Sequence, residues 1–390
     1  MTIFNVKIKL TDILFIFALT FVLAFPTPSR TKAIAIVIFF SFMMLVKLAN
    51  WNSIKNDIHL FGCFLFLGYA YLSKEWALFP KAVDEQITNV LWTVMLATAI
   101  STYISYNQYD LEDIVKRFLP IVLLFMINIA VNGTFHKDRL SIGINENAFG
   151  RIASGMFCLL FYQCKREQWK KKYMNILAAS CLLMVLLSGS RTSMLMTALY
   201  GIAILAFEHP TKDTLKLLGR LLTGAIICVI GYFVVTRINF LYTSIGHRVE
   251  SMFDLLLGVS EGDGSAITRM SMIESAQALF EKHPWLGAGM NNFKYVTEHG
   301  TYAHNNFYEL ASCLGIVGLV IYYSPLIKNL LNALRRWRKD EDGMILPLIL
   351  IVSFLMGDIG GVSYFSPYAH VYAALAIGML STRAVQQIRK

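Results

Sequence analysis

Of the 390 residues, 56% are hydrophobic and only 15% are charged, and mean hydropathy is +0.54; ordinary soluble domains carry about 25% charged residues. The formal charge of +10 comes from Lys and Arg in short segments between apolar runs. That distribution fits the positive-inside rule and argues against a nucleic-acid partner.

The apolar runs lie near the ~20 residues needed to cross a bilayer, so the expected class is an all-α polytopic membrane protein. The whole of 1–390 reads as one integral membrane domain without internal repeat or soluble appendage. About twelve transmembrane helices are expected, near 11–26, 33–49, 58–73, 88–106, 117–133, 148–163, 173–188, 192–208, 217–236, 304–324, 345–357 and 368–383. Helices are the only choice, because an open strand leaves backbone groups unsatisfied in lipid. The eleventh run is the weakest, with Pro347 inside it and Gly357-Asp358 at its end. No cleavable signal is evident: the first run ends at Phe25-Pro26-Thr27-Pro28 and more spans follow. The six cysteines (Cys63, Cys158, Cys164, Cys181, Cys228, Cys313) lie in or beside apolar runs without CxxC spacing, which supports neither a disulfide framework nor a zinc site.

Lys165, Arg166, Lys170, Lys171 and Lys172 share one connecting segment, and Arg335, Arg336, Arg338 and Lys339 share another. Counting Lys and Arg on alternate sides places the N-terminus in the cytoplasm and the long interval 237–303 outside it. This interval is too long for an idle connection. Short amphipathic helices are expected there, one from Arg248 to Leu257 and one from Ile267 to Lys282. The second has Ile267, Met270, Ile273, Ala276, Leu279 and Phe280 near a 3.6 period. Gly258–Ser265 reads as a flexible break, His283-Pro284 as a helix stop, and Gly287 and Gly289 as a tight turn.

Arg191 falls in a short turn between two apolar runs, Arg151 begins a span, Arg248 and Arg269 lie in the long interval, and His304 opens the tenth run. All are expected on the outer side. Guanidinium groups offer a planar fork of donors that suits phosphate oxygens. The pattern is that of an outward cationic cavity with a titratable imidazole at its rim. Plainer readings stand beside it. Arg191 could snorkel, Arg248 and Arg269 could pair with Glu250 and Glu274, Arg151 could serve Glu146 or Asp358, and His304 could simply end a helix. His299 and His304 could be taken for a metal pair, but no carboxylate and cysteine set completes one.

The order of these residues resembles the bacterial O-antigen ligase/polymerase superfamily. His304-Asn305, nine residues, then Gly315-x-x-Gly318 resembles the ligase signature. Arg269, the His283-Pro284-Trp-Leu-Gly287-Ala-Gly289 turn, Phe293 and Ser190-Arg191-Thr192 extend the likeness over about 188–320. Asn145-Glu-Asn147 is similar to an asparagine pair found before a span in the polymerases. The resemblance implies a GT-C-like, inverting glycosyltransferase that needs neither metal nor other cofactor. Its donor would be a glycan on undecaprenyl diphosphate, and its acceptor a sugar hydroxyl of a lipid A core (ligase) or of a growing polysaccharide (polymerase). It would sit in the inner membrane with its site facing the periplasm or cell exterior. His304 would be the catalytic base, and Arg191, Arg269 and Arg248 would hold the diphosphate. Asn305 and Glu309 would orient the imidazole or the acceptor, unless Glu309 is only a helix-end charge. A lipid-linked oligosaccharide transporter and a membrane scaffold are the remaining classes; the one-sided gathering of polar residues and the lack of repeated halves favour neither.

Overall fold

The structure is a computed structural model that describes residues 2–3, 6–49, 57–136, 139–211, 213–239, 242, 246 and 264–388. Among these residues a helix stands at each of the twelve expected places. They are α1 (Leu10–Leu19, continued by a wider turn at Thr20–Ala24), α2 (Arg30–Leu48), α3 (Ile58–Leu72), α4 (Pro80–Asn107), α5 (Leu111–Asn132) and α6 (Glu146–Arg166). Next come α7 (Lys172–Ser188), α8 (Arg191–Ala206) and α9 (Thr214–Arg237). Two further helices precede His304, α10 (Gly264–Lys282) and the single turn α11 (Phe293–Val296). The chain closes with α12 (Asn306–Arg338), α13 (Ile345–Ile359) and α14 (Pro367–Ile388). The only described strands are two small antiparallel pairs, β1 (Thr2–Ile3) with β2 (Val6–Lys7) and β3 (Thr134–His136) with β4 (Arg139–Ser141).

Among the described residues five helices are long and apolar enough to cross a membrane: α2, α4, α5, α12 and the Thr214–Val234 part of α9. Several others, such as α7, α8 and α13, are shorter apolar helices. Pro347 does not disturb α13, because it occupies the helix's first turn, where a missing N–H has no intrahelical partner to lose. The expected helix Arg248–Leu257 and the Gly258–Asp263 part of the expected break lie outside the described residues, whereas Gly264 and Ser265 already belong to α10.

The chain divides into two compact units. One comprises Met1–Lys32, Tyr109–Gly262 and Asn332–Ser353. Inside it, Asp12 of α1 is fully buried and receives Arg117 Nε of α5 at 2.9 Å and the Tyr109 hydroxyl at 2.8 Å. Gly150 of α6 lets two helices approach closely: a Cβ there would meet the Ser188 and Ser193 hydroxyls at 2.6 and 2.7 Å. One turn on, Ser154 and Thr197 share a hydrogen bond of 2.8 Å. Small residues at a crossing and hydroxyls bonded across it are how apolar helices associate where water offers no driving force.

The other unit comprises Ala33–Gln108, Asp263–Leu331 and Phe354–Lys390. Its centre is α4, largely enclosed, with α14 alongside: Gly378 lies against Ile104, and the Thr382 hydroxyl reaches the Ile104 carbonyl at 3.3 Å. The pyrrolidine of Pro325 sits directly over Gly62 of α3, a spot with no room for a Cβ. On α10 the buried stripe is Met272, Ala276 and Leu279, while Ile267 and Met270 are exposed. The expected face is thus buried from Met272 onward, at Ala276 and Leu279, and begins a turn later than its pattern.

Candidate functional site

The tenth expected run is not one straight helix. Inside α12, Gly315 adopts φ 64° and ψ −169°, a conformation that divides the helix after Leu314. Such a break frees carbonyls before it and N–H groups after it, which must find partners in an apolar setting. The turn after α10 supplies them. Ala288 N–H donates to Ser312 O at 2.9 Å and Gly289 N–H to Cys313 O at 2.8 Å. In return Ile316 N–H donates to Pro284 O at 2.9 Å and Val317 N–H to Trp285 O at 3.3 Å. The Tyr69 hydroxyl takes the Leu314 carbonyl at 3.0 Å. A Cβ at Gly287 would overlap the Cys313–Leu314 peptide, and one at Gly315 would overlap the Trp285 carbonyl. Glycine is thus required at both positions by close backbone approach as well as by positive φ.

The same turn is tied to the start of α4. Leu78 N–H donates to Ala288 O at 3.0 Å, Phe79 N–H to the Asn292 side chain at 2.6 Å, and Met290 N–H to the Ser73 hydroxyl at 3.0 Å. His283 ends α10, its N–H bonding Leu279 O and Phe280 O. His299 shares a hydrogen bond of 3.0 Å with Ser275 of α10 and stacks on Phe293. It is a brace of this loop.

His304 stands at the end of that braced loop, immediately before α12. Its φ is 52°, in the left-handed region where few residues other than glycine sit. Its ring is half-buried and lies 4.5 Å from the Tyr302 ring, which meets Phe365 edge-on. Burial lowers the imidazole pKa from its ordinary value, and the positive charge of Arg269 on α10 lowers it further. Both effects favour the neutral ring, the form able to accept a proton near neutral pH.

The two expected supporting residues act on the backbone. Asn305 caps α12, its side-chain oxygen accepting from Phe307 N–H at 3.0 Å and Tyr308 N–H at 3.2 Å, while its amide donates to Ile359 O at 3.2 Å. Glu309 is fully buried; it accepts Ala303 N–H at 2.7 Å and contacts Cys313 Sγ at 3.7 Å. The carboxylate therefore holds the residue before His304 and is no exposed helix-end charge.

Three residues that sequence reasoning missed underlie this helix start. Asn306, fully buried, donates to Tyr323 Oη at 2.9 Å and to Asp358 Oδ2 at 3.1 Å, and accepts Ser363 N–H at 3.0 Å. Tyr323 also donates to Asp358, at 2.8 Å. A carboxylate inside an apolar run was the available signal: Asp358 belongs to α13, and charge in such a setting is costly enough to need a reason.

Arg191 is in the other unit, as the first residue of α8. Gly189 ends α7 in the left-handed conformation at φ 59°. Ser190 then caps α8, its hydroxyl accepting from Ser193 N–H at 3.4 Å and from the Ser193 hydroxyl at 3.0 Å. Arg139 of β4 anchors this corner, bonding Ser188 O at 2.8 Å and Asn147 Oδ1 at 2.9 Å and pairing with Glu146 at 3.4 Å. Asn145 caps α6 through Asn147 N–H at 2.9 Å. The Asn145-Glu-Asn147 triplet thus has local structural tasks, and Glu146 is served by Arg139. Of the expected site residues, the structure brings together His304, Arg269, Asn305 and Glu309; Arg191 is placed on its own helix, and Arg248 lies outside the described residues.

Residues 176–323 match the O-antigen ligase family model. The match supports membership of the O-antigen ligase superfamily. The matched stretch runs from α7 through the Gly315 break and contains Arg191, Arg269 and His304. No curated protein matches the chain. The family match and the apolar helices support a membrane protein of polysaccharide biosynthesis, of the O-antigen ligase or polymerase type.

Proposed function

We propose that this member of the O-antigen ligase superfamily moves a glycan from undecaprenyl diphosphate to an acceptor sugar hydroxyl, in the ligase manner and without a metal. The observation that carries the reading is His304: half-buried, held by a braced loop, with its pKa lowered by burial and by the charge of Arg269. In the reaction the acceptor hydroxyl gives its proton to the imidazole as its oxygen bonds the anomeric carbon. The bond from that carbon to the diphosphate oxygen breaks, and the lipid diphosphate leaves with the electron pair. Arg269 stabilises the charge that builds on the leaving group, a task in which a fixed guanidinium replaces a metal ion. Arg191 and Arg248 are proposed to share it, and Asn305 and Glu309 to position the loop. The proposed site faces the periplasm or cell exterior from the inner membrane.

The test is transfer by the purified protein from a lipid-diphosphate glycan to candidate acceptors, with and without chelator. His304→Ala should lower the rate about 10²–10⁴-fold, the usual contribution of a general base. Arg269→Ala and Arg191→Ala should lower it too, with chelator having no effect. Normal transfer by folded His304→Ala protein would sink the mechanism. The acceptor that works separates the readings: a lipid A core supports the ligase, and elongation of its own repeat unit supports the polymerase.

A further inference from the structure

In the unit that contains His304, and apart from the His304 loop, a cavity of about 40 Å³ lies among α3, α4, α12 and α14. Its wall is mainly hydrocarbon, from side chains such as Phe66, Val94 and Leu326, but His59, Cys63, Thr93, Tyr322 and His370 also line it. Two of these polar groups are well partnered. His370 Nδ1 lies 3.2 Å from the Ser366 carbonyl, which can only accept, so this nitrogen carries the hydrogen. Its Nε2 then accepts from the Tyr322 hydroxyl at 3.1 Å, and the Tyr322 oxygen can accept from Ser363 at 3.0 Å.

His59 is different. It is 7% exposed, and among the described residues its ring nitrogens find Cys63 Sγ alone, each at 3.8 Å. A thiol is a poor partner, and a neutral imidazole has one donor and one acceptor to satisfy. Buried polar groups left this way generally hold ordered water, provided there is room and a second polar contact. Room exists, since a water needs about 10–15 Å³ of such volume. Second contacts exist as well: the Thr93 hydroxyl spends its hydrogen on the Asn89 carbonyl at 2.8 Å and keeps its lone pairs, and the Tyr322 oxygen, accepting from Ser363, keeps one.

We propose that this cavity is a water-binding site in which an ordered water bridges the His59 imidazole to Thr93 or Tyr322. The bridge joins the polar start of α3, where Lys47 pairs with the capping Asp57, to the His370–Tyr322–Ser363 chain. It stands independently of the glycosyltransferase reading.

The experiment uses the full chain in lipid nanodiscs, with ¹⁵N-histidine labelling and solid-state NMR. A cross-peak between water protons and a slowly exchanging ring nitrogen is expected, assigned to His59 by its disappearance in His59→Gln protein. In Thr93→Leu protein, where a larger apolar chain enters the cavity, the water signal should fall at least several-fold with the His59 resonance still present. Xenon under pressure provides the opposing readout, because a dry apolar cavity of this kind takes up the gas. Xenon bound beside Leu326 in wild type, with no water cross-peak to His59, overturns the proposal.

Discussion

Two polar corners interrupt apolar helices in this molecule, and they are built in opposite ways. The corner at Gly189–Arg191 is local: a glycine ends one helix, a serine caps the next, and Ser190 bonds Ser193 three residues on. The corner at Gly315 is distant: its freed backbone groups are taken by residues 284–289, which are in turn held by residues 73–79. Local capping contributes around 1 kcal/mol at each end and tolerates repair by solvent or by neighbours. The distant junction exchanges main-chain bonds in both directions and has no spare partner. The first places one arginine at a helix start; the second carries the whole loop that ends in His304.

Substitutions can sharpen this contrast. The largest effect is expected at Gly315. Gly315→Ala places a Cβ on the Trp285 carbonyl in a conformation suited only to glycine, and should cost roughly 3 kcal/mol or more. Thermal melting in detergent is the check, and a melt within a degree of wild type would show that the junction can relax. Glu309→Ala comes next. It leaves Ala303 N–H buried without its acceptor, which costs about 1–3 kcal/mol. Glu309→Gln keeps a carbonyl oxygen for the same bond, so transfer should survive far better in the Gln variant than in the Ala variant.

Arg269→Gln probes charge more than folding. Arg269 depresses the His304 pKa, and only the neutral ring serves as base, so activity fades as pH falls through that pKa. Removing the arginine raises the pKa, and the acid limb of the kcat/KM profile should move to higher pH. An unmoved limb means that the group titrating there is not His304. The smallest effect belongs to the local corner: Ser190→Ala removes one cap and should lower stability by about 1 kcal/mol, with a far smaller change in melting temperature than Gly315→Ala.

The same contrast explains what the sequence made legible. Helix positions followed from runs of apolar residues, a property each run carries by itself. The loop motif was legible because His304, Gly315 and the 283–289 turn lie within about thirty residues. The break at Gly315 was not, and residues 304–324 read as one continuous span. A glycine in an apolar run is ordinary; its meaning came from Pro284 and Trp285 folding back upon it. Asn306, Tyr323 and Asp358 were missed for the same reason, since their contacts join positions up to 58 residues apart. The start of the α10 face was placed too early because period alone does not say where a partner begins; Ile267 and Met270 fit the pattern yet lie exposed, while Ala276 and Leu279 are buried.

The bond from Phe79 N–H to the Asn292 side chain spans 213 residues. A ribosome adding about 5–20 residues per second finishes the start of α4 roughly ten to forty seconds before Asn292 exists. For that interval Leu78 and Phe79 present open donors at the mouth of a newly inserted helical hairpin. Until Asn292 is made, this rim lacks the partner it has in the finished fold. Slow translation between these two points, or a membrane chaperone that shelters the rim, would act on yield without touching the finished fold.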